Sequence, residues 1–537
     1  MSLATFLDTL LAGLRPSQAV GKTLFACAAV RVAVALLSPG FVLRRLDAFK
    51  WSLIRIVGAP IVKKKVADAV AGVKMVRYAG EPVHNALPAT GKSYDEVMAM
   101  CSEFKGRMDI DHLTRCVSGT VYHGGVEFTA FINDVMSMFQ WTNPLHFDNH
   151  GSVRKMEAEV VAMTVALFNG VQRGACGACT SGGSESIGMA LKTYRDWGLA
   201  TKGITNPSVV IPITAHPAFD KAAWYFGIEL IKVPVGPSGA VDAKELAKYI
   251  KYSTVAIVGS AVTFPHGTFD PIEELAALAE SRGIGLHVDA CLGSFVVACL
   301  TKAGFSNIPL FDFRLKGVTT ISCDTHKYGF APKGTSVVMY SSKELRSYHF
   351  FATADWPGGI YASPGAAGSK PGNVIAGTWA AMMSFGEQGY VDECRAIVNA
   401  RIIMSEGIKK LPGIFIHGDP KGSVFSFGST LVDIYVIADR LKKYGWNLNS
   451  IQFPAGIQCS LTRPFSMPGV AQRFVKDFTA VNGDLLCERE VDIAAGRSPQ
   501  IGAAGGSMYG SQQRVTDRSI ISTVMKLAMD KYYETEA

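Results

Sequence analysis

Between residues 150 and 340, short runs of apolar and β-branched residues alternate with stretches of helical periodicity. The candidate strands are residues 208–214, 229–235, 254–260, 286–289, 319–323 and 336–340. The candidate helices between them are residues 184–197, 219–226, 243–250 and 272–281. Nearly continuous apolar strands separated by helices are typical of a mainly parallel sheet that is covered on both faces. The pattern therefore predicts an α/β fold, in which ligands bind at the carboxyl ends of the strands.

The length of 537 residues favours more than one domain. We expect an anchor or targeting segment over residues 1–66 and a helical extension over residues 67–145. A large domain with the mainly parallel sheet would follow over residues 146–385, and a smaller α/β domain over residues 386–537.

One apolar stretch near the N-terminus, residues 23–43, is 21 residues long and has Arg31 as its only charge. At about 1.5 Å per residue a helix of this length spans a bilayer core of ~30 Å, although a central arginine costs roughly 2.5–3.5 kcal/mol. Three interpretations remain open: a membrane anchor that forms an N-terminal apolar helix, a mitochondrial presequence, and an interfacial or core helix. No other stretch is comparably long and apolar, which argues against a transporter with several spans.

The net charge of +8 lies entirely in this N-terminal region. Residues 1–65 carry ten basic and two acidic side chains, so residues 66–537 are formally neutral. By the positive-inside rule, the basic cluster after the apolar stretch would keep the following chain in the cytosol. A nucleic-acid-binding protein carries its basic surface on the folded domain, and this distribution therefore argues against nucleic acid as a partner.

The eleven cysteines are scattered and odd in number, which suits free thiols in a reducing compartment. Cys176 and Cys179 form one C-x-x-C motif, but no second pair stands at a spacing that would complete four zinc ligands. We interpret both as small core residues and predict no metal site.

Two charged residues stand at or just after candidate strands. Lys327 follows an apolar run in Cys-Asp-Thr-His-Lys-Tyr-Gly-Phe (323–330). A lysine that forms a Schiff base must lose its charge, which requires a shielded site near other positive groups. Asp289 ends the run Gly-Leu-His-Val-Asp (285–289), where a buried acid needs a partner. The nitrogen of a pyridinium ring would supply that partner; the alternatives are a surface lysine and a structural ion pair.

Two further elements complete the pattern. Gly182 and Gly183 precede a helical stretch, where backbone N–H groups approach a phosphate readily; the alternative is a simple helix cap at Ser184. His216 follows another candidate strand and would stack on a pyridine ring, although a lone histidine is usually structural. The chain order is thus phosphate turn, stacking histidine, acid and lysine. This order predicts pyridoxal 5′-phosphate (PLP) as the cofactor.

The same order resembles that of the fold-type I PLP enzymes, in particular the branch shared by group II decarboxylases and the sphingosine-1-phosphate lyase family. Longer stretches favour the lyase family: residues 143–146, 153–161, 361–372, 379–390, 444–449 and 508–510. The resemblance covers about residues 70–535. It implies a homodimer, membrane association through the N-terminal segment, and an endoplasmic reticulum location with a cytosolic catalytic domain; the mitochondrion is the alternative.

The resemblance also implies a role for each matching position. Three residues would contact the cofactor ring: Lys327 through the Schiff base, Asp289 at the pyridinium nitrogen and His216 by stacking. Those that would hold its phosphate are Gly183, Ser184, His326 and Ser369, the last reaching across from a second subunit. Those that would act on the substrate phosphate or in proton transfer are Tyr122, His146 and Lys333.

Lys333 has a second implied effect, because a cation six residues after Lys327 would depress the pKa of the Schiff base formed there. The alternative is an exposed loop lysine. The sequence departs from the family pattern at Asn149-His150, where a Phe-Pro pair is usual, and at Lys370, where arginine is common. Since lysine lacks the bidentate fork of arginine, these departures concern the substrate preference.

The implied activity is cleavage of a phosphorylated long-chain base, sphingosine 1-phosphate, between C2 and C3. This retro-aldol step would release a long-chain aldehyde and phosphoethanolamine. Two alternatives remain open: an amino-acid decarboxylase on the same fold, and a membrane-tethered scaffold without cofactor. A scaffold would be expected to have lost Lys327 or Asp289, and both are present.

Overall fold

The computed structural model describes residues 84–106, 116–146 and 148–496, together with Ser522, Met525, Lys526 and Met529. The apolar stretch 23–43, the basic residues around it and the motif at 508–510 lie outside these residues, so the predictions made for them stay predictions. In the part of the chain that is described, no helix is both long and apolar enough to cross a bilayer.

The secondary structure alternates between strands and helices through most of the described chain. The helices are α1 (Tyr94–Gly106), α2 (Val126–Met138), α3 (Gly151–Leu167), α4 (Gly183–Lys202), α5 (Ala218–Phe226), α6 (Ala243–Ala247), α7 (Ile272–Arg282), α8 (Ser294–Cys299), α9 (Lys343–Ser347), α10 (Gly372–Lys409), α11 (Ile434–Lys443) and α12 (Val470–Ala494). The strands are β1 (Cys116–Val117), β2 (Cys176–Thr180), β3 (Ser208–Pro212), β4 (Glu229–Val233), β5 (Thr254–Ser260), β6 (Gly285–Asp289), β7 (Thr320–Cys323), β8 (Ser336–Tyr340), β9 (Phe351–Thr353), β10 (Tyr361–Ser363), β11 (Ile414–Ile416), β12 (Val424–Ser429), β13 (Trp446–Asn447), β14 (Asn449–Ile451) and β15 (Gly456–Ser460).

The described residues divide into two units, one that contains residues 84–103 and the four described residues near the C-terminus, and one that contains the described residues between 104 and 496. In the first unit, α1 begins with a reciprocal cap. Glu96 Oε2 accepts hydrogen bonds from the N–H and the hydroxyl of Ser93, both at 2.7 Å, while Ser93 Oγ accepts one from the N–H of Glu96 at 3.3 Å. This arrangement satisfies donors that a helix start leaves free.

In the second unit, the large sheet of the described residues has seven strands in the order β2-β8-β7-β6-β5-β3-β4. β7, β6, β5, β3 and β4 are parallel neighbours, whereas β8 is antiparallel to both β7 and β2. β2 therefore runs in the same direction as β7, and only β8 runs against the others. The predicted α/β fold with a mainly parallel sheet is confirmed.

All six predicted strands are present, and their ends differ from the prediction by at most two residues. The sequence pattern did not predict β2, although all five of its residues are buried. Its sequence, Cys-Gly-Ala-Cys-Thr, has one β-branched residue and small side chains, so it lacks the usual signal of a strand.

A second sheet in the same unit comes from the C-terminal part of the chain. Its strands pair antiparallel in the order β11-β12-β15-β14. The helix α10 connects the large sheet to this one and is interrupted at Gly386, whose φ is 56°, a left-handed conformation that glycine adopts readily. Gly386 lies at the predicted boundary between the large and the small domain; the predicted domain bounds themselves stay predictions.

Candidate active site

Four of the predicted site elements follow strands of the large sheet that run in one direction. Asp289 is the last residue of β6, and Lys327 lies in the loop after β7. Gly183 follows β2, and His216 follows β3. Because the carboxyl ends of strands with a common direction meet at one edge of a sheet, these residues lie along the same edge.

Lys327 forms an ion pair with Asp324, a residue that the sequence reasoning did not single out. Lys327 Nζ is 2.8 Å from Asp324 Oδ2, and the Asp324 side chain is only 2% exposed. Burial is the largest single effect and lowers the pKa of Lys327, but Asp324, Cys291 and Asp289 together outweigh it, and the pKa lies above its ordinary value. This shift belongs to the free amine, so the predicted effect of Lys333 on the pKa of a Schiff base at Lys327 stays a prediction.

Gly183 begins α4 and lies directly against Asp324. A Cβ atom at Gly183 would lie 2.8 Å and 2.9 Å from the two carboxylate oxygens of Asp324 and 2.9 Å from Cys291 Sγ, distances too short for a side chain. Gly182 is the N-cap residue of α4 and makes no side-chain cap, so the alternative of a cap at Ser184 is wrong. The helix start thus presents free backbone N–H groups in a cradle that only glycine fits.

His326 lies beside the same turn. Its Nδ1 is hydrogen-bonded to the carbonyl oxygen of Thr335, and its Nε2 is 3.7 Å from Asp324 Oδ2. A Cβ atom on Gly182 would be 3.6 Å from the His326 ring. Burial lowers the pKa of His326, and Lys333 and Lys327 lower it further against the opposing effect of Asp324. A neutral imidazole therefore faces the glycine turn.

Asp289 is buried at the end of β6, as predicted. Its Oδ1 accepts a hydrogen bond from the N–H of Cys291 at 3.0 Å and one from the hydroxyl of Ser322 at 3.4 Å. These contacts fix the orientation of the carboxylate, and no ion pair of Asp289 occurs among the described residues. The group is thus available for a cationic partner, which a buried carboxylate requires.

Tyr122 and Lys333 contact each other on the other side of the lysine loop. Lys333 Nζ lies 4.6 Å from the centroid of the Tyr122 ring, and this ring packs edge-on against Tyr328 at 4.9 Å. Burial raises the pKa of Tyr122 well above its ordinary value, and the charge of Asp324 adds to this effect. Burial and the nearby Lys327 lower the pKa of Lys333. The phenol therefore retains its proton, while the amine of Lys333, although the residue is exposed, loses its proton more readily than a lysine without these neighbours.

Four of the predicted site residues make no contact with Lys327 in the described part of the chain. His146, Ser184 and His216 are exposed; His216 Nδ1 accepts a hydrogen bond from the N–H of Ala218 at 3.1 Å, and Ser369 Oγ accepts one from Asn143 Nδ2 at 3.0 Å. Among the described residues, no hydrogen bond, ion pair or ring contact joins any of the four to Lys327. Their proposed roles stay predictions.

Two residues that the sequence reasoning missed belong to the cluster. Asp324 directly follows the apolar run of β7, and this is the same signal that identified Asp289. Cys291 lies two residues beyond Asp289, its thiol is buried, and burial raises its pKa well above the ordinary value. No signal in the sequence distinguishes Cys291 from a core cysteine.

The residues of this edge fit PLP. Gly183 leaves space at a helix N-terminus for a phosphate, and Asp289 has room for a cationic partner. Asp324 Oδ1 is a buried oxygen without a hydrogen-bond partner, which indicates space for a polar group beside Lys327. In the described part of the chain no cluster of three or more histidine, cysteine or acidic residues has the geometry of a metal site.

Comparison with known proteins agrees with this site. Residues 110–428 match the pyridoxal-dependent decarboxylase conserved domain. The sphingosine-1-phosphate lyase of Drosophila melanogaster is 44% identical over 84% of this chain and 81% of its own length. Sphingosine-1-phosphate lyase 1 of Rattus norvegicus is 44% identical over 84% of this chain and 77% of its own length.

Solved structures show the same relationship. The sphingosine-1-phosphate lyase of Burkholderia pseudomallei superimposes with a TM-score of 0.74 at 38% identity, over 79% of this chain and 98% of that chain. The glutamate decarboxylase of Lactobacillus brevis superimposes with a TM-score of 0.64 at 19% identity, over 75% and 96%, which shows the fold alone. This chain belongs to the pyridoxal-dependent decarboxylase family and, within it, to the branch of the sphingosine-1-phosphate lyases. The predicted family, enzyme class and PLP cofactor are confirmed.

Proposed function

We propose that the chain is an aldehyde-lyase that cleaves phosphorylated long-chain bases such as sphingosine 1-phosphate. The C2–C3 bond breaks in a retro-aldol step, and the products are a long-chain aldehyde and phosphoethanolamine. The observation that carries the proposal is the joint position of Lys327, Asp289 and the Gly183 cradle at one sheet edge in a chain 44% identical to lyases. The decarboxylase alternative rests on the family-wide domain match and on a decarboxylase structure at 19% identity, which shows the fold alone. The scaffold alternative is not supported, because the whole cluster is retained.

When bound, PLP supplies a protonated pyridine ring that stabilises the negative charge left at C2. Lys327 supplies the amine that attaches it, and Asp289 holds the proton on the ring nitrogen. The N–H groups at the start of α4 and the neutral His326 ring bind the cofactor phosphate. These roles account for the residues at the cofactor end of the site.

Tyr122 and Lys333 lie where the substrate end of the site would be. Since the pKa of Tyr122 is raised, its hydroxyl donates a hydrogen bond and does not act as a base near neutral pH. Since the pKa of Lys333 is lowered, this residue is the better acceptor for the proton of the C3 hydroxyl. We assign Lys333 as the base and Tyr122 as the group that orients the substrate oxygen.

The test uses the full-length chain in detergent with PLP and sphingosine 1-phosphate. We expect aldehyde and phosphoethanolamine in equal amounts, and neither product from Lys327→Ala. A PLP-loaded protein that releases no aldehyde would refute the lyase assignment. Release of carbon dioxide from amino acids would instead favour the decarboxylase.

We also propose a homodimer in which Ser369 serves the site of the second subunit. Phe131, Met138 and Trp141 are exposed by 41%, 74% and 92% along and just after α2, close in sequence to Asn143, which binds Ser369. Large apolar side chains exposed together favour a covered surface. Membrane association through residues 23–43 and an endoplasmic reticulum location with a cytosolic catalytic domain complete the proposal.

Mixing two inactive variants tests the dimer. If Ser369 crosses to the partner, a heterodimer of Lys327→Ala and Ser369→Asp contains one intact site. Since random mixing makes half of the dimers mixed, about a quarter of the wild-type activity should return. If Ser369 acts within its own subunit, every site in the mixture carries a defect and no activity returns.

A further inference from the structure

The ion pair between Asp324 and Lys327 affects how readily Lys327 can attach the cofactor. This inference rests on the role proposed for Lys327. Nζ bonds to an aldehyde carbon only as a free amine, because an ammonium group has no lone pair. Among the described residues, the Asp324 carboxylate lies within hydrogen-bond distance of Nζ, at 2.8 Å, and favours the ammonium form. The same carboxylate has a second, unpaired oxygen that is buried beside the glycine turn.

We propose that Asp324 is a positioning residue for Lys327. Its buried carboxylate holds the ammonium group beside the Gly183 cradle whenever Lys327 is not bonded to the cofactor, and it thereby opposes the loss of the proton that must leave Nζ before attachment. Attachment would require that proton to pass from Nζ to solvent, the Nζ lone pair to bond to the aldehyde carbon, and the two remaining Nζ protons to leave with the aldehyde oxygen as water.

The surroundings of Asp324 support this role over that of a purely structural acid. Its Oδ1 makes no hydrogen bond, whereas a structural carboxylate at 2% exposure normally has both oxygens satisfied. Its position is set by the backbone, since its own carbonyl oxygen accepts a hydrogen bond from Ser294 Oγ at 2.6 Å. The close approach of Gly183 further restricts where the carboxylate can move. The side chain is thus held toward Lys327 although its own hydrogen bonding is incomplete.

The charged and titratable groups around Lys327 act in opposite directions. Asp324, Asp289 and Cys291 favour the ammonium form, whereas Lys333 disfavours it. His326, on the same loop, has a lowered pKa. Removal of the Asp324 charge takes away the largest effect that favours the ammonium form, while burial, which favours the free amine, remains. Loss of an adjacent opposite charge moves a pKa by roughly one to three units.

The experiment measures attachment and not turnover. Full-length cofactor-free protein is mixed with PLP between pH 7 and pH 11, cyanoborohydride reduces the product, and the Lys327 peptide is quantified by mass spectrometry. For Asp324→Asn we expect the midpoint of labelling to fall by at least one pH unit, so that labelling near pH 7 becomes at least about tenfold faster. Asp289→Asn is the matched control, because Asp289 is a buried acid of the same site that does not contact Nζ, and its midpoint should move less.

Circular dichroism at each pH confirms that the variants are folded. An unchanged midpoint in Asp324→Asn would overturn the proposal, and so would a folded variant that is not labelled even at high pH. If the unaltered protein gains no label at Lys327 at any pH, the assignment of Lys327 as the cofactor lysine fails instead. The two failures are therefore distinguishable.

Discussion

Replacement of Gly183 by alanine tests the glycine cradle directly. The added methyl group would lie 2.8–2.9 Å from both Asp324 oxygens and from Cys291 Sγ, about 0.5 Å or more inside normal contact. Asp324 cannot retreat without losing its 2.8 Å contact with Lys327. Overpacking of this kind costs about 1–3 kcal/mol. If the whole of this strain opposes PLP binding, the affinity for PLP falls about 5- to 150-fold.

The affinity is measured by titrating the full-length cofactor-free protein with PLP and following absorbance, with thermal unfolding recorded in parallel. Gly182→Ala is the matched control. Its methyl group would meet only the His326 ring at 3.6 Å, an ordinary contact. We expect the control to bind PLP within about twofold of the unaltered protein, since surface-like changes without a clash have small effects.

If Gly183→Ala binds PLP as tightly as the unaltered protein and unfolds at the same temperature, a methyl group at this position does not clash with Asp324 and Cys291. An equal loss of PLP affinity in Gly182→Ala would also contradict the clash, because the effect would then come from the loss of backbone freedom at the glycine turn.

Three further predictions concern charged groups. Asp289→Asn should keep PLP bound but lower turnover at least about tenfold, because the ring nitrogen loses the charge that holds its proton; kcat measured against PLP content checks this. Lys370→Ala breaks the half-buried ion pair with Glu157 and should reduce the free energy of unfolding in urea by about 1–3 kcal/mol. Lys155→Ala, which breaks the exposed ion pair with Glu159, should change it by less than about 1 kcal/mol. Burial lowers the pKa of His266 to about 4, so its contribution to stability is complete above about pH 6.5 and is lost as pH falls from there toward 4. In His266→Gln the difference in unfolding free energy between pH 7 and pH 4.5 should therefore shrink by about 2–3 kcal/mol. An unchanged difference would show that His266 is not the source of this pH dependence.

The structure explains one of the two departures from the family pattern, the lysine at position 370. Lys370 binds Glu157, and Asn143 on the same surface accepts a hydrogen bond from the N–H of Lys370 at 3.4 Å. The lysine therefore anchors the segment that carries Ser369 in this structure. A single charge on a flexible stem is sufficient for this contact, which does not need the bidentate fork of arginine. Nothing in the structure explains the Asn149-His150 pair.

The succession of strands β3 to β8 along the chain, the burial of Asp289 and the position of Lys327 after a strand were all determined by the sequence itself. Each depends on local hydrophobic periodicity and on a change from apolar to polar residues, and such signals lie within a few neighbouring positions. β2 was missed because small residues give no such signal. The ion pair of Lys327 with Asp324 and the fit of Gly183 against that carboxylate were decided only by the tertiary structure. The contact of Gly183 with Asp324 joins the ends of β2 and β7, whereas the ion pair joins two residues of the loop after β7 whose side chains meet only in its folded conformation. Whether a buried charge raises or lowers a pKa depends on distances of a few ångströms that no local pattern encodes.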